Sequence, residues 1–316
     1  MKTILSNENE PKKMDSLIVH IGYSKCMSTW LQGIFYKHPD IRYACRTNFF
    51  QKYDSNFGRG IDWYLEQFSG DGVCLESDEH LLLPEIDEDL WLNKSNMTAV
   101  SEVLGRIRQS VEKPKIIFVY RSQVDMILSR YIQFVRSGGS LSFDHFFDRT
   151  FESGRWQDYY DYRYSRLHDL LESMFGKEHF LSINIDYFKS NKEETLEKLS
   201  VFLGVPISED LLPKKGVNVS PSYYAIKIQF LLNKIMVKRK KTHTQRASTR
   251  YGYYTWKLPM KLVEKIDSFL VKDKKRYQIV SDEKIRKIKK TYEADNLKLI
   301  ERTGDNLFEY HLWMDR

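Results

Sequence analysis

Cysteine is scarce in this 316-residue chain: only Cys26, Cys45 and Cys74, odd in number, far apart and without a metal-ligand spacing. That pattern excludes a disulfide framework and a zinc module, and leads to the expectation of reduced thiols and a cytoplasmic location. No apolar run approaches the roughly 18–20 residues that span a bilayer. The stretch from Met1 to Lys13 has only Ile4-Leu5 as an apolar element. Neither a transmembrane segment nor a signal peptide is therefore expected. There is no internal repeat and no low-complexity tract. Acidic residues are missing between Lys214 and Arg250, where ten Lys or Arg stand with no Asp or Glu. That segment carries +10 of a net charge of +7, leaving −3 (7 − 10) for the remainder. Such a block suits an acidic ligand, a polyanion or a membrane surface, with a solvated loop as the plain alternative.

What is present is ordinary for a globular protein, at 41% hydrophobic and 29% charged residues, apart from a high aromatic content of 14%. Short apolar runs alternate with longer amphipathic stretches. The runs predict strands at 17–21, 41–44, 72–75, 115–120 and 180–185, several of them continuously apolar as central parallel strands are. Between them the spacing predicts helices over 29–36, 97–111, 124–135, 158–175 and 192–202, the last stopped by Gly204 and Pro206. After Ser220 only helical patterns follow, over 223–237, 260–270 and 282–303. The expectation is an α/β fold: a central parallel sheet flanked by helices, with a helical C-terminal part. Residues 1–316 read as one domain, with 1–15 a flexible lead and 237–252 a mobile basic loop.

The densest chemical signal is Ile18-Val19-His20-Ile21-Gly22-Tyr23-Ser24-Lys25-Cys26-Met27-Ser28-Thr29-Trp30-Leu31. A strand runs into a short loop with one Gly and one Lys, then directly into a helix. That arrangement aims backbone N–H groups and a positive dipole end at a phosphate or sulfate. The loop is not the ATPase type, which needs Gly-Lys-Ser/Thr in sequence. Here Lys25 sits at the crown of the turn, where an ammonium reaches a phosphate or the bridging oxygen of a leaving group.

Ser24 to Leu31 resembles the 5′-phosphosulfate loop of the sulfotransferases, commonly Pro-Lys-x-Gly-Thr-Thr-Trp-Leu. Ser24 stands where the family has Pro, and Met27 where it has Gly. A second element fits the same family. The run 115–120 ends at Arg121, and Ser129 lies eight residues on, the spacing with which sulfotransferases hold the donor's 3′-phosphate. Gln123 replaces a frequent Pro. A third element, Phe180–Tyr187 followed by Phe202-Leu203-Gly204, implies that Tyr187 lies near the adenine; a structural tyrosine is the alternative.

The resemblance extends from Leu17 to about Ser220. It implies the P-loop-like sulfotransferase fold, closest in style to the bacterial and carbohydrate enzymes. It also implies 3′-phosphoadenosine-5′-phosphosulfate as donor, adenosine 3′,5′-bisphosphate as product, and no metal. Donor contacts would come from Ser24, Lys25, Cys26, Met27, Ser28, Thr29, Trp30, Arg121, Ser129 and Tyr187.

A base is needed for the acceptor's proton. Leu75-Glu76-Ser77-Asp78-Glu79-His80 resembles the Ser-x-Glu segment of carbohydrate-type members, which makes Glu79 the first candidate and His80 its rival. Glu76 and Asp78 read as charges on the following turn. Residues 136–140 and Phe143–Phe147 read as a flexible turn leading to an acceptor-side lid, and Trp156, Tyr159, Tyr160, Tyr162 and Tyr164 as either acceptor-stacking rings or core. The expected acceptor is a saccharide, polysaccharide or glycolipid, with a small phenol or alcohol second. A nucleotide-dependent kinase and a non-catalytic polyanion binder are the alternatives from other classes. Nucleic acid is not an expected partner; peripheral membrane contact stays open.

Overall fold

Five parallel strands form the sheet that the apolar runs predict: β1 Met14–Gly22, β2 Ile41–Cys45, β3 Val73–Ser77, β4 Val111–Tyr120 and β5 Phe180–Asn184. Their order is β2-β3-β1-β4-β5. The computed structural model describes residues 13–304 except 24, 48, 51–59, 69, 83–95, 153–161, 214–220, 237–260, 264 and 268–275. The helices are α1 Ser28–Lys37, α2 Gly60–Glu66, α3 Asn96–Ser110, α4 Gln123–Arg136, α5 Phe143–Phe147, α6 Tyr164–Phe175, α7 Ile185–Ser190, α8 Lys192–Leu203 and α9 Tyr223–Met236, followed by a long helix Asp282–Thr303. Among the described residues no helix is long and apolar enough to cross a membrane.

The chain divides into two units, residues 1–120 with 164–214, and residues 121–163 with 215–316. The first holds the whole sheet. Its central strands are buried on both faces: Ile116 to Tyr120 have no exposed surface, and Leu17 to Gly22 are buried throughout. That is why both runs are continuously apolar instead of alternating. In β1, Ile18 is the partner of Leu75 on one side and of Lys115 on the other. From β1 the chain turns to β2 at one edge, and from β4 it moves to β5 at the opposite edge. The carboxyl ends of β1 and β4 therefore flank the point where strand order reverses, the place where open α/β sheets bind ligands. Gly22 ends β1 at this point. A Cβ there would stand 2.8 Å from the carbonyl oxygen of Val119 on β4, so only glycine permits the close approach.

The second unit is helical in its described residues. α4, the most strongly two-faced of its helices, packs on α5, α9 and the helix Asp282–Thr303. The expected flexible turn and lid after α4 take a different form. Phe143, Phe146 and Phe147 are buried, with Phe143 edge-on to Tyr131 at 5.2 Å and Phe146 against Phe134 at 5.0 Å. The turn itself is pinned, because Asn233 Nδ2 donates to the carbonyls of Val135 and Gly139 at 2.7 and 2.8 Å. Phe143–Phe147, which read as a lid, are here part of the core of this unit. Of the rings that read as either acceptor-stacking or core, Tyr162 in this unit and Tyr164 in the first unit are fully buried, whereas Trp156, Tyr159, Tyr160 and the basic stretch 237–252 lie outside the described residues.

Candidate active site

The turn that leaves β1 carries two non-glycine residues in left-handed backbone, Lys25 with φ 81° and Met27 with φ 55°. Each costs on the order of 1 kcal/mol for an L-residue with a side chain. They flank Cys26, which is buried and whose N–H donates to the Tyr23 carbonyl at 3.1 Å. Met27 is also the N-cap of α1, and its carbonyl accepts from Trp30 and Leu31 at 2.9 and 3.2 Å. The Met27 side chain offers no cap, and no acidic residue stands in the first turn of the helix. A left-handed turn feeding an acid-free helix N-terminus is the form of an anion-binding nest. Lys25 and Thr29 are exposed, Ser28 is buried, and Trp30 is half-buried with its ring 5.1 Å from Phe188. Ser24 lies outside the described residues.

Beside β1, the end of β3 supplies the candidate base. Glu79 opens a one-turn 3-10 helix, Glu79–Leu82, with only 11% of its side chain exposed. One carboxylate oxygen, Oε1, is held by the Arg46 guanidinium, and the other, Oε2, is buried with no hydrogen-bond partner among the described residues. Arg46 is itself in left-handed backbone, φ 52°, and donates its N–H to the Ser77 carbonyl at 3.1 Å. His80 occupies the next position of the turn; its side chain lies outside what is described.

Under Glu79 lies a buried polar group that the sequence reading missed. His20 Nδ1 and Ser77 Oγ are 2.8 Å apart, and Gln32 Nε2 donates to the same hydroxyl at 3.1 Å. Burial lowers the His20 pKa to about 4, against the opposing pull of the Glu79 charge. The imidazole is therefore neutral near pH 7. Burial of β1 on both faces makes His20 an interior residue, and nothing in the sequence marks Ser77 and Gln32 as its neighbours.

Glu76 is not a charge on the surface turn. It is fully buried, accepting from the Thr47 backbone at 3.0 Å, the Thr47 hydroxyl and the Tyr64 hydroxyl. Burial raises its pKa and those bonds partly restore the carboxylate. Its work is to anchor the segment after β2 and the helix α2. Asp78 is equally buried, its N–H donating to the His20 carbonyl at 3.0 Å.

In the second unit, Arg121 directly follows the last residue of β4. Its Nη1 donates to Ser129 Oγ at 3.2 Å, and its Nη2 lies 3.2 Å from Asp125. Arg121 is 8% exposed and fixed at both tips. The sequence spacing of eight therefore places guanidinium and hydroxyl side by side, Arg121 at the mouth of the strand and Ser129 two turns into α4. Ser122 caps α4 by accepting from the Asp125 N–H at 3.4 Å. Gln123, where proline is frequent in the resembling family, is fully buried and exchanges two hydrogen bonds with Asn296, at 2.7 and 3.1 Å.

Tyr187 sits in the first turn of α7, whose N-cap Asn184 accepts from the Asp186 and Tyr187 N–H groups. Its hydroxyl donates to Glu194, and the Lys198 ammonium lies 5.6 Å from its ring centre. Glu194 lines an open groove of about 740 Å³ together with Glu193, Glu197 and Glu209. That groove has the wrong sign for a nucleotide carrying several phosphate or sulfate charges.

A model of the sulfotransferase domain matches residues 15–299. No curated protein sequence matches the chain. Among solved structures it is similar to a sulfotransferase from Alicyclobacillus acidocaldarius, at 21% identity over 66% of this chain and 87% of that one, with a TM-score of 0.47. It is similar also to a mouse sulfotransferase complexed with PAP, at 14% identity over 94% and 91% of the two chains and a TM-score of 0.47. A third is retinol dehydratase in complex with androsterone and inactive cofactor PAP, at 11% identity over 94% and 84%, with a TM-score of 0.43. The family match runs through both units, from the start of β1 to the last described helix, and so the chain belongs to the sulfotransferase domain family.

Proposed function

We propose that the chain transfers the sulfuryl group of 3′-phosphoadenosine-5′-phosphosulfate to a hydroxyl or amine, on a saccharide, polysaccharide or glycolipid in preference to a small phenol or alcohol. The observation that carries this reading is the left-handed backbone at Lys25 and Met27, directly before an acid-free helix start. Two strained residues in one short turn are characteristic of functional loops. The donor's 5′-phosphosulfate is assigned to the turn and to Ser28 and Thr29. On the family motif the 3′-phosphate falls to Arg121 and Ser129 and the adenine to Tyr187, with Trp30 a further donor contact.

In the reaction the acceptor oxygen attacks sulfur as the bond from sulfur to the bridging oxygen breaks. The leaving bisphosphate takes the electron pair, and Lys25 with the turn N–H groups neutralises the charge that builds there. The acceptor's proton passes to Glu79 through Oε2, while Arg46 holds Oε1 and fixes the carboxylate plane. The unpartnered oxygen is what favours Glu79, and with it the carbohydrate-type acceptor.

The test is thermal stabilisation by adenosine 3′,5′-bisphosphate compared with ATP, on the parent and on Arg121→Ala. Ligand at a hundred times its dissociation constant stabilises by about 2.7 kcal/mol. The bisphosphate should stabilise the parent preferentially, and the gain should vanish in Arg121→Ala. Equal stabilisation by ATP would point to a kinase-type site, and no response to either would leave the basic segment as a polyanion binder. Labelled donor with a panel of glycans then addresses the acceptor.

A further inference from the structure

Helix α9 buries Ala225 and Ile226 on its inner side and carries large apolar side chains on its outer side as well. Gln229 and Asn233 are fully buried on its inner side, whereas Tyr224, Ile228, Leu231 and Ile235 stand 58%, 46%, 56% and 82% exposed. The spacing of four, three and four residues, at about 100° per residue, puts these four side chains in one strip about 60° wide along the helix. An amphipathic helix on a protein surface normally keeps its outer side polar. The residues 261–263 and 265–267, also helical, repeat the feature on a smaller scale, with Leu262 and Ile266 exposed four residues apart.

The charge on α9 itself is of one sign. Lys227 and Lys234 flank it on one side, both exposed, with their ammonium groups 4.5 Å from the ring centres of Tyr223 and Phe230. Their stems thus lie along the helix and extend its apolar surface while the charged heads stay in water. α9 contains no Asp or Glu, nor does any position from Lys214 to Arg250. Apolar side chains bordered by lysine, with tyrosines at the rim, match the boundary between anionic headgroups and acyl chains. A second copy of the chain fits worse. A two-fold contact along the strip would bring Lys227 and Lys234 against the same residues of the copy, with no acid on the helix to neutralise them.

We propose that this face of α9 docks the protein on an anionic lipid surface. Insertion of the strip supplies the apolar part of the affinity, and Lys227 and Lys234 supply attraction to the headgroups. The inference is independent of the donor and acceptor assignments above.

The test uses the full chain and co-sedimentation with vesicles of phosphatidylcholine alone or mixed with phosphatidylglycerol. The parent should bind the mixed vesicles, and binding should weaken with salt. Ile228→Ser with Leu231→Ser should lower the partition coefficient roughly tenfold or more. Lys227→Gln with Lys234→Gln should lower it about thirtyfold. Ile235→Ser, at the most exposed position, repeats the apolar test with the least risk to folding, and unchanged melting temperatures certify all three variants. Failure of the parent to bind mixed vesicles, equal binding to neutral ones, or parental binding by the serine variants would each overturn the proposal. So would a lipid-free dimer, seen by sedimentation velocity, that dissociates when Ile228 and Leu231 are replaced.

Discussion

Lys25 and Met27 stand two residues apart in the turn after β1 with φ of 81° and 55°, so one short loop holds two left-handed residues that both carry side chains. At position 27 the resembling family commonly has glycine, which adopts this backbone without strain. The chain keeps the geometry and bears the strain, about 1 kcal/mol at Met27. Met27→Gly should therefore be more stable than Met27→Ala by about 1 kcal/mol, since both lose the side chain and only glycine relieves the backbone. Urea midpoints of the two variants give the comparison directly. Equal midpoints would mean that Met27 does not hold the left-handed conformation.

Glu79 should behave as a group needed for chemistry and not for donor binding. Its oxygen Oε1 is held by Arg46 and Oε2 is unpartnered, so Glu79→Gln preserves shape while removing the proton acceptor. The expected outcome is a fall in kcat of roughly 10²–10⁴, with stabilisation by adenosine 3′,5′-bisphosphate unchanged. Arg46→Ala should lower kcat less, because it loosens the carboxylate without removing it. If Glu79→Gln keeps its rate and His80→Ala loses it, the histidine is the base.

Gln123 and Asn296, 173 positions apart, satisfy each other in a buried site. Gln123→Pro, the residue frequent at this place in the family, removes both hydrogen bonds that Gln123 makes with Asn296 and strands its amide. A buried amide without partners costs about 1–3 kcal/mol, and thermal unfolding should show a loss of that size. Asn296→Leu in the same background should restore part of it. An unchanged melting temperature in Gln123→Pro would mean the pair contributes nothing net.

All five strands and most of the long helices were legible in the sequence because their burial is periodic or continuous. The run 115–120 could only be a strand buried on both faces, and the stop at Gly204 matches its left-handed C-cap, φ 76°. Strand β3 starts one residue later than the sequence suggests. Gly72 has φ 131°, and a Cβ there would lie 2.5 Å from the Asp40 carbonyl oxygen, so it is a turn residue. What the sequence hid are partners far apart along the chain. In Glu76-Ser77-Asp78-Glu79 nothing local says that Glu76 faces inward to Thr47 and Tyr64 while Glu79 meets Arg46. Phe143–Phe147 misled for the same reason: five residues with three phenylalanines fit a lid as well as a core until Tyr131 and Phe134 are placed beside them.

The buried His20 makes stability fall with acidification. Its folded pKa, about 4, lies below the unfolded value of 6.5. The unfolded chain therefore takes up a proton first as pH falls, and stability is lost from about pH 6.5 down to about pH 4, below which both states are protonated. A difference of about 2.5 pH units corresponds to roughly 3 kcal/mol at the acid end. Glu76 works in the opposite sense, since burial raises its pKa and acid neutralises it in place. The contribution of His20 must accordingly be read as a difference between variants. His20→Asn, which keeps a polar group near Ser77, should be less stable than the parent at pH 7.5, and the gap should narrow by up to about 3 kcal/mol at pH 4.5. Chemical denaturation of both proteins at the two pH values measures it. A gap that stays constant with pH would show that the imidazole does not stay neutral in the folded protein.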